Sequence, residues 1–172
     1  MSQTVEQLGE FGLIARLARG LRVRDASVVV GIGDDCAVLR GAEPQKYLLL
    51  ACDPVVEGVH FLPAAPARWV GWKAMARNIS DIAAMGGVPR WAVVSIGLRR
   101  DAAVRYVDEL YGGLRLAARR FGCVIVGGDT THVAREQFVV VGGVGEVERK
   151  RVVLRSGARV GDAVFVTGLL GG

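Results

Sequence analysis

Short apolar runs interrupted by glycine, set against few stretches of helical periodicity, constrain this chain more than any other feature. Val28-Val29-Val30, Tyr47-Leu48-Leu49-Leu50-Ala51, Trp91-Ala92-Val93-Val94-Ser95-Ile96, Cys123-Val124-Ile125-Val126 and the stretch 137–144 read as strands, and 163–167 reads as the start of another. Helical spacing is confined to 9–21, with Leu13, Ile14, Leu17 and Leu21 on one side, to 72–86 and to 101–121. Strands and helices alternate, but the helices are too few to cover both faces of a doubly wound sheet. The pattern predicts an α+β fold: one small mixed or antiparallel sheet with helices on one face. A domain boundary is expected near 156–162, dividing the chain into 1–155 and a linker with the first strand of a truncated second domain over 156–172.

The two longer helices carry the most information. In 72–86, Trp72, Met75, Ala76, Ile79, Ile82 and Ala83 recur at three- and four-residue steps and form a core-facing stripe. Asp81 lies on the opposite side with Arg77 one turn before it, in the last turn ahead of Gly86-Gly87. A carboxylate there meets the negative end of the helix dipole, which costs roughly 0.3–1 kcal/mol. Taken alone, Asp81 reads as a solvated aspartate paired with Arg77. In 101–121 the stripe is Val104, Val107, Tyr111, Leu114, Ala118 and Phe121. Gly112-Gly113 interrupts it at roughly 1 kcal/mol per glycine, which points to close packing against a neighbour.

Other aspartates change the reading of Asp81. Asp35, Asp53 and Asp129 each follow an apolar run, and Pro54 is expected to end ladder pairing directly after Asp53. Asp34 and Asp35 are adjacent, so on extended backbone only one of them faces any site. Gly31-x-Gly33-x-x-Cys36 nearly matches the dinucleotide fingerprint, but two carboxylates would repel a pyrophosphate and a strand follows instead of a helix. If the strand ends converge, several carboxylates meet, and protons or cations must relieve their repulsion. An oxygen-only donor set points to a hard divalent ion, magnesium before calcium, since no calcium loop is present. In Gly127-Gly128-Asp129 the glycines would let backbone N–H groups approach a phosphate. Magnesium, glycine-rich backbone and an outlying arginine together suit a polyphosphate.

Composition removes other classes. Of 172 residues, 51% are hydrophobic and 23% charged, which excludes disorder. The N-terminus has no signal-peptide pattern, and no apolar stretch approaches the ~20 residues that span a bilayer. Three scattered cysteines make neither a disulfide framework nor a zinc site, so a soluble cytoplasmic protein is expected, with no membrane partner. The net charge of +5 is mostly arginine, and Arg99, Arg100, Arg105, Arg115, Arg119 and Arg120 surround the 101–121 helix. Without interleaved exposed aromatics these read as a solvated helix face, with no nucleic-acid partner. His60, one of two histidines, reads on its own as a packed polar residue.

Four motifs in order carry a resemblance. They are Gly33-Asp34-Asp35-Cys36-Ala37-Val38-Leu39, the stretch from Asp53-Pro54 to His60-Phe61, the helix from Lys73 to Gly86, and Gly127-Gly128-Asp129-Thr130-Thr131. Together they resemble the thiamine-monophosphate kinase family, in the superfamily of aminoimidazole ribonucleotide synthetase and selenophosphate synthetase. The resemblance runs from Gly9 to Gly168. It implies phosphorylation of thiamine monophosphate to thiamine diphosphate with ATP as co-substrate and Mg2+ as cofactor, and a homodimer formed through the N-terminal domain. It also implies magnesium ligands at Asp35, Asp53, Asp81 and Asp129, with Cys52 beside them. ATP would meet Gly128, Asp129 and Arg155, and the thiamine substrate would meet His60. No general base is implied, because a phosphate monoester with a second pKa of about 6 is already anionic.

The chain departs from the family at Ala51-Cys52-Asp53-Pro54, where hydroxyl residues are usual, and at His132, where arginine is common. Sulfur is a poor magnesium ligand. Family members are nearly twice as long. Two alternatives stay open: another ATP-dependent synthetase of the superfamily, and a catalytically inactive module that dimerises and binds nucleotide.

Overall fold

The computed structural model describes residues 3–21, 24–166 and 168. In chain order the elements are α1 (Val5–Gly20), β1 (Val28–Val30), β2 (Ala37–Arg40), β3 (Lys46–Val56), α2 (Ala67–Ala84), β4 (Val88–Leu98), α3 (Val104–Phe121), β5 (Val124–His132) and β6 (Phe138–Glu148), followed by a 3-10 turn at Arg149–Arg151. The strands form a single six-stranded sheet in the order β1-β2-β3-β6-β4-β5. Every pairing is antiparallel except β4 with β5, which α3 joins as a parallel crossover. Both α2 and α3 pack on one side, so the expected α+β architecture with a mixed sheet is what the chain adopts.

Two glycines let the helices touch. A Cβ at Gly71 would stand 2.0 Å from the Leu110 carbonyl oxygen, and one at Gly113 would stand 1.8 Å from that of Arg68. The close packing expected at Gly112-Gly113 therefore belongs to Gly113 alone, since Gly112 faces open space. Beneath the helices, Val55, Val94 and Val141 of the sheet meet Val70, Ala74, Met75, Leu110 and Leu114. A glycine-rich stretch of β6 lets α2 lie flat on the sheet: a Cβ at Gly145 would reach within 2.5 Å of Ile82 Cγ2.

Several element bounds differ from those expected. α2 begins at Ala67, not 72, and its buried face includes Ala67, Val70, Gly71 and Ala74, whereas Ala83 is exposed. The helix packs against both α3 and the sheet, so tertiary contact sets its buried face. α3 begins at Val104, not 101, and Val104 is exposed while Leu110 and Ala117 are buried. α1 starts at Val5 because Thr4 caps it in a reciprocal box with Gln7, and it turns at Gly9, where φ is 71°.

Strands outrun their apolar runs, because ladder hydrogen bonds come from neighbouring backbone whatever the side chain. β3 continues through Pro54, which pairs with Val140, to Val56 opposite Phe138. β2 covers β3 only as far as Leu50, and a proline is tolerated on a strand whose other flank has no partner there among the described residues. β5 likewise continues through the glycines and Asp129 to His132. The strand expected at 163–167 is not formed over 163–166, where Val164 and Phe165 are exposed and no ladder partner is present among the described residues. Thr167 lies outside the described residues.

Candidate functional site: an acidic cluster beside the end of α2

The site is assembled from four separate segments. β3 supplies Asp53, the last two turns of α2 supply Arg77, Asn78 and Asp81, the turn before β2 supplies Asp34 and Asp35, and the segment after the 3-10 turn supplies Arg155. That last segment folds back because Val152 and Leu154 pack against Cys36, Leu49 and Met85, and Val153 N–H donates to the Met85 carbonyl at 3.2 Å. Alternate apolar residues thus deliver Arg155 to the acidic turn.

Arg77 pairs with Asp53 instead of Asp81, through Nη2 at 2.8 Å and Nε at 3.1 Å, both to Oδ2. Asn78, fully buried on the inner stripe of α2, clamps the same residue's backbone. Its Oδ1 accepts the Asp53 N–H at 2.9 Å, and its Nδ2 donates to the Asp53 carbonyl at 3.3 Å. A polar residue on an apolar helical stripe is the signal that could have exposed this clamp in the sequence.

Asp34 and Asp35 both face the cluster, contrary to the expectation for extended backbone. The backbone there turns, with Gly33 at φ 130°, where a side chain would be strained. Arg155 N–H donates to Asp34 Oδ2 at 3.1 Å, while its Nη2 and Nε donate to Asp35 Oδ1 at 2.5 and 3.2 Å.

Asp81 feels this concentration of charge. Burial, then the Asp53 and Asp35 carboxylates, push its carboxyl up to about 6, against the opposing pull of Arg77 and Arg155. The neighbouring Cys36 thiol is pushed up to about 12, first by burial and then by Asp81, Asp35 and Asp34. Asp35 and Asp53 therefore both lie within electrostatic reach of Asp81. Among the described residues no three His, Cys, Asp or Glu side chains stand close enough to close a metal shell as they are. Guanidinium groups take the place of cations on Asp35 and Asp53. An all-oxygen set already drawing cationic partners fits a hard divalent ion.

Cys52 and Asp129 stand elsewhere. Along β3, Leu49, Ala51, Asp53 and Val55 turn toward the helices, and the exposed Cys52 turns the other way. Asp53 heads a row across the sheet through Val141 and Val94 to Gly128. Asp129 pairs one step on, beside Ser95, so it lies about 14 Å from Asp53 at three strand spacings, on the opposite face. A Cβ at Gly128 would stand 1.8 Å from the Val94 carbonyl oxygen, so close strand packing alone requires glycine there.

His60 belongs to a turn at the far end of β3, about 10 Å beyond Asp53 along the strand. Its Nδ1 accepts the Val56 N–H at 3.1 Å, and Lys73 Nζ donates to its carbonyl at 2.5 Å. Beside that turn lies a network the sequence did not signal. Buried Glu57 accepts from the Arg99 guanidinium and from the Gln137 N–H at 3.0 Å. Arg99 is thus structural, and Arg105 pairs with Glu109 one turn on.

A mixed sheet covered on one side by two helices, with carboxylates gathered near one helix end, defines an α+β domain of the open-sheet class. Residues 33–147 match the AIR synthase related protein, N-terminal domain, and the chain belongs to that family. It is 42% identical over 167 residues to the thiamine-monophosphate kinase of Aquifex aeolicus, covering 97% of this chain and 51% of that protein. Against the thiamine-monophosphate kinase of Bacillus subtilis it is 38% identical over 165 residues, covering 95% and 50%. Its fold superposes on AaThiL complexed with AMPPCP and TMP with a TM-score of 0.83 and 39% identity, over 92% of this chain and 48% of that one. The chain spans about half the length of the curated relatives it matches.

Proposed function

We propose that this chain is the ATP- and magnesium-handling half of a thiamine-monophosphate kinase, a phosphotransferase with a phosphate group as acceptor. The observation that carries the reading is the match to AaThiL in complex with AMPPCP, an ATP analogue, and TMP, read as thiamine monophosphate. In this reading residues 1–155 form the nucleotide-binding and dimerisation domain, and 156–172 begin a second one. Three free thiols, two of them buried, suit a reducing, cytoplasmic compartment.

Magnesium would be held by Asp35, Asp53 and Asp81, and when bound would neutralise the phosphate oxygens between which the phosphoryl group passes. The cluster's own residues prepare that site. Asn78 fixes the Asp53 backbone, while Arg77 and Arg155 hold the carboxylates against their mutual repulsion. With those carboxylates engaged by a cation, Arg155 would be free for the nucleotide's phosphates. His60 would contact the thiamine moiety. The acceptor is itself an anionic phosphate, so alignment and charge neutralisation suffice, and no side-chain base is assigned.

The homodimer is part of the same proposal. The uncovered sheet face carries Leu50, Trp91 and Val93 exposed, an apolar surface suited to a second copy. Asp129 stands on that face, so in this reading it enters the metal set from the other copy. Mixing Asp129→Asn and Asp81→Asn chains tests this. If the site is shared, random pairing restores magnesium-dependent AMPPCP binding at about a quarter of the sites. If each chain builds its own site, nothing is restored.

The reading as a whole is tested by incubating the chain with ATP, magnesium and thiamine monophosphate and assaying thiamine diphosphate. Product that disappears in Asp81→Asn supports it. Magnesium-dependent nucleotide binding with no product reduces the chain to a binding module, and absence of both overturns the reading.

A further inference from the structure

The end of β3 carries a second polar cluster that the phosphate chemistry does not use. Glu57 is 5% exposed and Gln137 is 5% exposed, so both are buried polar groups that need partners. Glu57 accepts from the Arg99 guanidinium and the Gln137 N–H, and its own N–H donates to the Gln137 carbonyl at 2.9 Å. Gln137 Oε1 in turn accepts the Arg99 N–H at 3.4 Å, and Arg99 Nη1 donates to the Arg135 carbonyl at 3.2 Å. Three segments that are remote in sequence, the ends of β3 and β4 and the lead into β6, are thereby tied at one point.

The turn bearing His60 leaves directly from that point. Gly58, at φ 77°, starts it, with Gly58 N–H donating to the Phe61 carbonyl at 2.8 Å and His60 N–H donating to the Val56 carbonyl at 2.8 Å. Inside it the Val56 N–H donates to His60 Nδ1. A nitrogen that accepts a hydrogen bond carries no proton, so the neutral ring holds its proton on Nε2.

We propose that Glu57, anchored by Arg99 and Gln137, is a positioning residue that holds His60 in its Nε2–H form, so that the ring offers one fixed donor to an acceptor atom of the substrate. The substrate half of this inference rests on the thiamine monophosphate reading, where a pyrimidine ring nitrogen or a phosphate oxygen is the acceptor. The carboxylate acts at a distance: it fixes the chain on either side of the turn and leaves the ring to the Val56 N–H.

The test is the nitrogen spectrum of the histidine rings at about pH 8, where an ordinary imidazole is neutral. The chain has only His60 and His132, so assignment is direct. In the native protein His60 should show two widely separated ring-nitrogen signals, one protonated and one bare. In Glu57→Gln those signals should converge toward the tautomer average, while His132 stays unchanged. Thiamine monophosphate should bind about tenfold more weakly, the loss of roughly one hydrogen bond, with AMPPCP binding retained. A folded Glu57→Gln whose His60 signals stay separated overturns the positioning role. If Glu57→Gln does not fold, Arg99→Lys, which keeps the charge and loses the forked geometry, is read in its place by the same criterion. Separated native signals that do not move on adding thiamine monophosphate overturn the substrate reading and leave the positioning role standing. Averaged signals in the native chain do the reverse.

Discussion

The cluster around Asp53, within β3, and the one at Glu57, just past its last residue, present opposite solutions to the problem of placing charge. At Glu57 one carboxylate meets one guanidinium and a backbone N–H, and the group is closed from water. Around Asp53 four carboxylates, Asp34, Asp35, Asp53 and Asp81, share only Arg77 and Arg155, and the Asp53 and Arg155 side chains remain 33% and 59% exposed. A satisfied, buried pair fixes chain segments, whereas an unbalanced, open cluster holds electrostatic free energy that a cation can release.

The largest effect is expected where the balance is complete. Glu57→Ala leaves the Arg99 guanidinium and the Gln137 N–H without their acceptor, and should cost about 3 kcal/mol in urea denaturation. A loss below about 1 kcal/mol would show that solvent satisfies Arg99 as well as Glu57 does, and the contrast between the two clusters would fail.

Asn78→Ala comes next. It strips the Asp53 N–H and carbonyl of their partners inside the fold, and should cost about 2 kcal/mol by the same measurement. It should also weaken magnesium-dependent nucleotide binding, because Asp53 loses its fixed backbone. Unchanged binding in a destabilised variant would sharpen the comparison differently, by giving Asn78 a structural role alone.

Asp81→Asn should act in the opposite direction. The Asp81 carboxyl is raised from an ordinary 3.8 to about 6, so the folded chain holds its proton more tightly than the unfolded chain does. That contribution to stability is present in full below about pH 4 and is lost as pH rises through about 6. At pH 7 without divalent ions Asp81→Asn should therefore be more stable than the native chain, by about 1 kcal/mol after allowance for solvent screening. The native loss of stability between pH 4 and 6 should flatten in the variant. Thermal unfolding across that range checks both, and an unchanged slope would place the repulsion elsewhere.

Some of this contrast was legible in the sequence, and the reasons for the rest are physical. Asp81 was visible because it sits opposite the apolar stripe in the last turn before a glycine stop, and Asp53 because it follows a clear strand. The inner position of Asn78 was written into the same stripe as Met75 and Ile79, although only a partner on β3 reveals its use. The position of Asp129 could not be read, because β6 inserts between β3 and β4 and puts β5 at the sheet edge. Local pattern defines strands but not their order. The same limit explains Pro54, whose tolerance depends on how far β2 reaches along β3, and Glu57, whose partners lie 42 and 80 residues away.

The smallest effect on stability should come from Arg155→Ala, and it tests the open cluster most directly. The Arg155 side chain is 59% exposed and its ion pair with Asp35 is a surface contact, so urea denaturation should barely change. Its guanidinium nonetheless sits on an Asp35 oxygen that a cation would need. Removing a competing positive charge from a cluster with excess negative charge should tighten magnesium binding, measured calorimetrically without nucleotide, by about two- to fivefold at low salt. With AMPPCP present the sign should reverse, because the variant has lost a cation for the phosphates. A single sign under both conditions would show that Arg155 does not pass between carboxylate and nucleotide. The open cluster around Asp53 would then be unbalanced without being a switch.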